Sequence, residues 1–108
     1  MAKLETISTR NFDSLLADIE NGILHGSLSA TLEDSSDYYT MDARCSVRVF
    51  ERYSYLGENR VSLSVTLFQS KEKPIQISAI TSGGSQALFF KINRFGEEAF
   101  LNKIRELL

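Results

Sequence analysis

The spacing of apolar residues changes from helical to alternating and back to helical along this chain. Between Asn11 and Gly22, the apolar residues Phe12, Leu15, Leu16 and Ile19 recur at helical spacing, which predicts an amphipathic helix. Asn11 suits the N-cap, Asp13 the first turn, and Gly22 the left-handed residue that commonly ends a helix. Alternation follows. Leu28, Ala30 and Leu32 alternate with Ser27, Ser29, Thr31 and Glu33, and Ala43, Cys45, Val47 and Val49 with Arg44, Ser46, Arg48 and Phe50. Val61, Leu63, Val65 and Leu67 alternate with Ser62, Ser64, Thr66 and Phe68, and Ile75, Ile77 and Ala79 with Gln76, Ser78 and Ile80. Each run predicts a strand with one buried face. A fifth strand is read from Ala87 to Ile92, after the flexible break Ser82-Gly83-Gly84-Ser85. A second amphipathic helix closes the chain, with Asn93 as its cap and Phe95, Ala99, Phe100, Ile104 and Leu107 as its stripe.

The predicted order is α-β-β-β-β-β-α. Short connections favour antiparallel neighbours, and two helices with one apolar stripe each suit one face of a sheet. The expected class is therefore α+β, a curved antiparallel sheet with two helices on one face, a two-layer sandwich in a single domain spanning residues 1–108.

Directly opposite residues share a face, so the apolar pattern restricts register. A three-residue loop at Gly57-Glu58-Asn59 places Leu56 opposite Arg60 and Arg52 opposite Ser64. Pairing Leu67 with Ile75 places Ser64 opposite Ser78. Ala43, Cys45, Val47 and Val49 then point into the core. The outer face carries a row of Arg52, Ser64 and Ser78, with Arg44, Arg48, Phe50, Thr66 and Phe68 completing a candidate interaction face. A solvated face is the plain reading of such residues. Phe50, Phe68, Ile80 and Phe89 on the same face argue for a partner if they gather into a patch. Arg44, Arg48 and Arg52 are spaced by about 13 Å along a strand, too far for one small anion to bridge two of them, which favours an extended interface.

Composition narrows the classes. The chain has 108 residues, 43% hydrophobic and 24% charged, values of an ordinary globular domain rather than of a disordered chain. A formal net charge of -2 disfavours non-specific nucleic-acid binding. No apolar run approaches the roughly 20 residues of a membrane helix. The N-terminus lacks the apolar core of a secretion signal, and a single cysteine suits a reducing, cytoplasmic compartment.

Candidate chemistry is sparse. Strict alternation puts Glu51 on the apolar face, where a desolvated carboxylate can serve as a general acid or base; a bulge near Phe50 that turns it outward is the plainer reading. The acidic stretch from Glu33 to Asp42 reads as a long loop. Asp34, Asp37 and Asp42 within it match no cation-binding spacing, so it is read as solvated. Ser82, Gly83, Gly84 and Ser85 form a weak anion-loop candidate, lacking the lysine of a phosphate-binding loop. His25 has no companion for a metal site, and Cys45 reads as a small core residue. No cofactor and no metal are implied.

The segments Asp42 to Ser54, Ile77 to Ile92 and Gly96 to Leu101 together resemble a family of short, functionally uncharacterised bacterial proteins, one of the domain-of-unknown-function groups. The resemblance spans nearly the whole chain. It implies a bacterial cytoplasmic protein and offers no activity or site residues.

The leading expectation is a non-enzymatic interaction module, a homodimer associating through the outer sheet face or an edge strand. The alternative is a small-molecule or lipid carrier with an apolar groove between a curled sheet and the C-terminal helix. An enzyme resting on Glu51 comes third, and single-stranded nucleic acid stacking on the sheet fourth.

Overall fold

The computed structural model describes residues 2–26, 29–54, 59–83 and 101–108. Its strands are β1 (Ala2–Ser8), β2 (Thr31–Tyr39), β3 (Ala43–Ser54), β4 (Asn59–Ser70) and β5 (Ile75–Gly83), and α1 (Phe12–His25) lies between β1 and β2. Residues 101–107 form a further helix, α2. The strands make one open antiparallel sheet in the order β1-β5-β4-β3-β2. The α+β class, the antiparallel sheet and the two helices agree with the sequence pattern.

β1 is an addition to that pattern. Its apolar signal is weak, because Ile7 is 65% exposed and Leu4 is the larger of its two inward apolar side chains. Backbone pairing with β5 over all seven residues holds it in place. The strand expected at Ala87 to Ile92 lies outside the described residues, as do Asn93, Phe95, Gly96, Ala99 and Phe100. Of the predicted second-helix stripe, Ile104 is fully buried, joined by Leu101.

Helix α1 starts where its cap predicts: the Asn11 side chain accepts a 2.9 Å hydrogen bond from the Ser14 backbone N–H. It runs past Gly22, however, and ends at His25. Gly22 is not a stop signal but a point of close approach. A Cβ built there would sit 2.3 Å from Leu107 Cδ2, so α2 packs directly on the helix backbone. Arg10 secures the same junction by donating to the Leu107 carbonyl at 3.2 Å, a cation at a helix C-terminus.

The second correction concerns Glu33 to Asp42. Most of this stretch is the edge strand β2, with only Thr40, Met41 and Asp42 left to turn the chain. Its polarity disguised it, for every residue of β2 is exposed. An edge strand needs a backbone ladder more than an apolar face, and a register shift between Leu32 and Asp34 bulges it.

The third correction decides the rest. In the β3–β4 hairpin Ser54 pairs with Asn59, Arg52 with Val61, Phe50 with Leu63 and Arg48 with Val65. Even residues of β3 therefore share a face with the odd residues of β4, the reverse of the assignment drawn from alternation. Phe50 is 0% exposed and lies in the core with Leu15, Ile19, Leu63, Val65, Leu67, Leu101 and Ile104. Cys45 is half-buried on the helix-free face, together with Val47 and Val49. The reason is that β4 has the stronger amphipathic pattern, with Val61, Leu63, Val65 and Leu67 all at 0% exposure, and β3 must follow the face its partner sets.

The two faces predict different costs of truncation. Phe50→Ala should lower the unfolding free energy by about 3–5 kcal/mol. Val49→Ala, on the other side of the strand, should cost no more than about 1 kcal/mol. Urea unfolding of the two variants reads the difference directly, and the order would invert if Val49 faced the helices.

Candidate functional site

The candidate interaction face divides into two sets of residues. Arg44, Arg48, Phe50 and Arg52 lie on the helix side, whereas Ser64, Thr66, Phe68 and Ser78 lie on the open side. The expected row of Arg52, Ser64 and Ser78 is not formed. Ser64 stands opposite Ile80 and Thr66 opposite Ser78, because β5 is paired two residues away from the expected register. That shift preserves the face of every β5 residue, so the serines and Ile80 remain outward.

The arginines under the helices have partners. Arg48, 8% exposed, reaches from β3 to Glu20 on α1 (Nε to Oε1, 2.6 Å) and to Asp37 on β2 (Nη1 to Oδ1, 3.0 Å; Nη2 to Oδ2, 3.3 Å). Ser46 donates to the same Asp37 oxygen at 2.6 Å. The hydroxyl of Ser46 and, next, the Arg48 guanidinium hold the Asp37 carboxyl below the usual carboxylate range. Arg44 stacks 3.9 Å over the Phe12 ring and donates to Asp13 at 2.9 Å and to the Tyr39 hydroxyl at 3.3 Å. Arg52 lies opposite Val61 on this side, where burial lowers its pKa. The guanidiniums of Arg44 and Arg48 bind α1 to the sheet through its Phe12, Asp13 and Glu20.

The open side is built differently. Across it run ladder rows from β1 to β2: Ile7, Gln76, Phe68, Cys45 and Tyr38; then Glu5, Ser78, Thr66, Val47 and Ser36; then Lys3, Ile80, Ser64, Val49 and Asp34. Small hydroxyls thus lie among apolar side chains, of which Tyr38, Phe68 and Ile80 are exposed by 64%, 37% and 37%. Among the described residues four of its charges form two pairs, and Asp34 stands at the β2 edge. Lys3 and Glu5 meet at 2.8 Å, and Arg60 lies 4.0 Å from Glu51. A shallow groove of about 520 Å³ runs beside Phe68, bounded by Glu5, Thr6, Ile7, Thr66 and Gln76.

The remaining candidates disperse. Glu51 is half-exposed on the open face opposite Ser62, turned out by the strand's parity and not by a bulge in β3. Asp34 and Asp37 point to opposite faces of β2, and among the described residues no three metal-ligating side chains converge. Ser82 and Gly83 are strand residues paired with Ser62 and Val61, with the Ser82 and Ser62 hydroxyls 3.0 Å apart. Gly84 and Ser85 lie outside the described residues. His25 is exposed on the helix layer, and the sheet separates it from Cys45. Among the described residues no helix is long and apolar enough to cross a membrane.

Residues 1–108, the entire sequence, match a family of unknown function, DUF6054. The chain belongs to this family. No curated protein and no solved structure matches it. Membership accounts for the familiar segments of the sequence without adding a reaction or ligand, so the functional reading rests on geometry.

Missing from the sequence reading was the network of Glu20, Asp37, Ser46 and Arg48. Its visible signal was acidic Glu20 within an amphipathic helix, together with the arginines of the alternating run from Ala43. The network makes stability depend on pH in a definite direction. Asp37 is more acidic folded than unfolded, so its contribution is complete above the unfolded value of about 4 and is lost as pH falls through the lower folded value. Urea unfolding should therefore show stability falling below about pH 4, and Asp37→Asn should weaken the protein at neutral pH while flattening that fall.

Proposed function

We propose that this protein is a non-enzymatic interaction module that associates with a second copy of itself through the open side of its sheet or an edge of that sheet. One observation carries the reading. Helices cover one face of the sheet, while the other presents apolar side chains and hydroxyls with nothing packed on them among the described residues. Exposed apolar patches of this kind on a sheet are commonly contact surfaces. Lys3 with Glu5 and Arg60 with Glu51 set opposite charges side by side on that face, while Asp34 stands at its β2 edge. The groups that do converge, Arg48 with Glu20, Asp37 and Ser46, are saturated with one another and serve to anchor α1. A bacterial cytoplasmic setting belongs to the same proposal, since the half-exposed free thiol of Cys45 suits a reducing compartment.

A second reading, binding of a small apolar ligand, draws on the groove beside Phe68. It differs from a carrier site beneath the C-terminal helix, where Leu101 and Ile104 are fully buried. Native mass spectrometry separates the two readings: a co-purifying ligand favours the groove.

Light scattering behind size exclusion tests the leading reading. Dimer mass at high concentration, falling towards monomer on dilution, is the expected result. A strict monomer at every concentration overturns it. Substitutions at Arg48 or Phe50 are unsuited to this experiment, because both side chains are buried and their loss weakens the fold itself rather than a contact.

A further inference from the structure

The two edges of the sheet differ. β2 is exposed throughout, carries Glu33, Asp34 and Asp37, and is interrupted by its bulge. Charge of one sign and a kinked ladder are common ways of keeping an edge strand single. β1 has neither protection. It pairs with β5 without a register shift from Ala2 to Ser8, and among the described residues no strand lies beyond it. Its open-face side chains are Lys3, Glu5 and Ile7, so opposite charges stand two positions apart.

We propose that β1 is the contact for a second copy of this chain, pairing antiparallel with the same strand about a twofold axis at Leu4. Lys3 of each copy then lies opposite Glu5 of the other. The inference rests on the self-association reading above and names its surface. A twofold axis normal to the sheet keeps both helix layers on one side, so open-face residues must oppose open-face residues. Centring the pair on Lys3 sets lysine against lysine, and centring it on Glu5 sets glutamate against glutamate. Only the axis at Leu4 satisfies both charges. It also places Leu4 against Leu4 and Ala2 against Thr6 on the helix side. In the single chain Lys3 and Glu5 bridge to each other along the strand, more than half exposed, and both are free to turn to a neighbour. The two open faces would continue as one surface across the axis.

Charge exchange tests the pairing in the full-length chain, since both side chains are exposed and their substitution leaves the core untouched. Lys3→Glu and Glu5→Lys should each weaken dimerisation by about tenfold or more, because each sets like charges opposite at two symmetry-related positions. The double variant Lys3→Glu/Glu5→Lys should recover the wild-type constant, and an equimolar mixture of the two single variants should form a heterodimer. Light scattering over a dilution series reads all four, with circular dichroism confirming the fold. A wild-type dimer that neither single variant weakens overturns the β1 assignment and leaves association through the open face standing. A double variant as weak as the singles also overturns it. A wild type that never dimerises removes both readings.

Discussion

The pairing of Phe50 with Leu63 commits every other side chain of β3 to a face. Residues opposite each other across an antiparallel ladder point the same way, and β4 has no choice of face, since four of its side chains have no exposed surface. With that register in place, Phe50 enters the core and Arg44, Arg48 and Arg52 follow it under the helix layer. Cys45, Val47 and Val49 are carried to the open side. Sliding the hairpin by one residue would exchange the two sets and strand Phe50 in solvent.

Bringing three guanidiniums beneath a helix has consequences for that helix. An arginine 8% exposed requires charge partners, and α1 supplies Glu20 while β2 supplies Asp37. One side chain thus ties three elements together. The strand β2, exposed on every residue, gains through Asp37 and Ser46 a side-chain attachment beyond its backbone ladder. The acidic character that made this segment look like a loop is what lets it serve as an edge beside buried Arg48.

The same register leaves the open face with two charge pairs, Asp34, hydroxyls and half-exposed apolar groups. With the arginines of β3 turned to the helix side, this surface carries the mixed polar and apolar groups on which the proposed self-association rests. The asymmetry of the two edges adds direction, because β2 is guarded by acids and a bulge whereas β1 alternates charge in a self-complementary way.

The existence and type of α1 and β3 to β5 were legible in the sequence because hydrophobic period is a local property. So was the Asn11 cap, which needs only the residues of one turn. The outward placement of Ser64, Thr66, Phe68 and Ser78 was legible too, for they alternate with strongly apolar neighbours. β1 was not, and of β2 only its start from Thr31 to Glu33 was, since edge strands are held by backbone pairing with distant partners and leave little apolar pattern. Gly22 looked like a helix end until Leu107 occupied the space its missing Cβ leaves. By itself, then, the sequence determined an antiparallel sheet with amphipathic helices on one side. Only the tertiary structure decided which face of β3 those helices cover, because valine and cysteine tolerate half-exposure and arginine tolerates burial once distant carboxylates arrive to meet it.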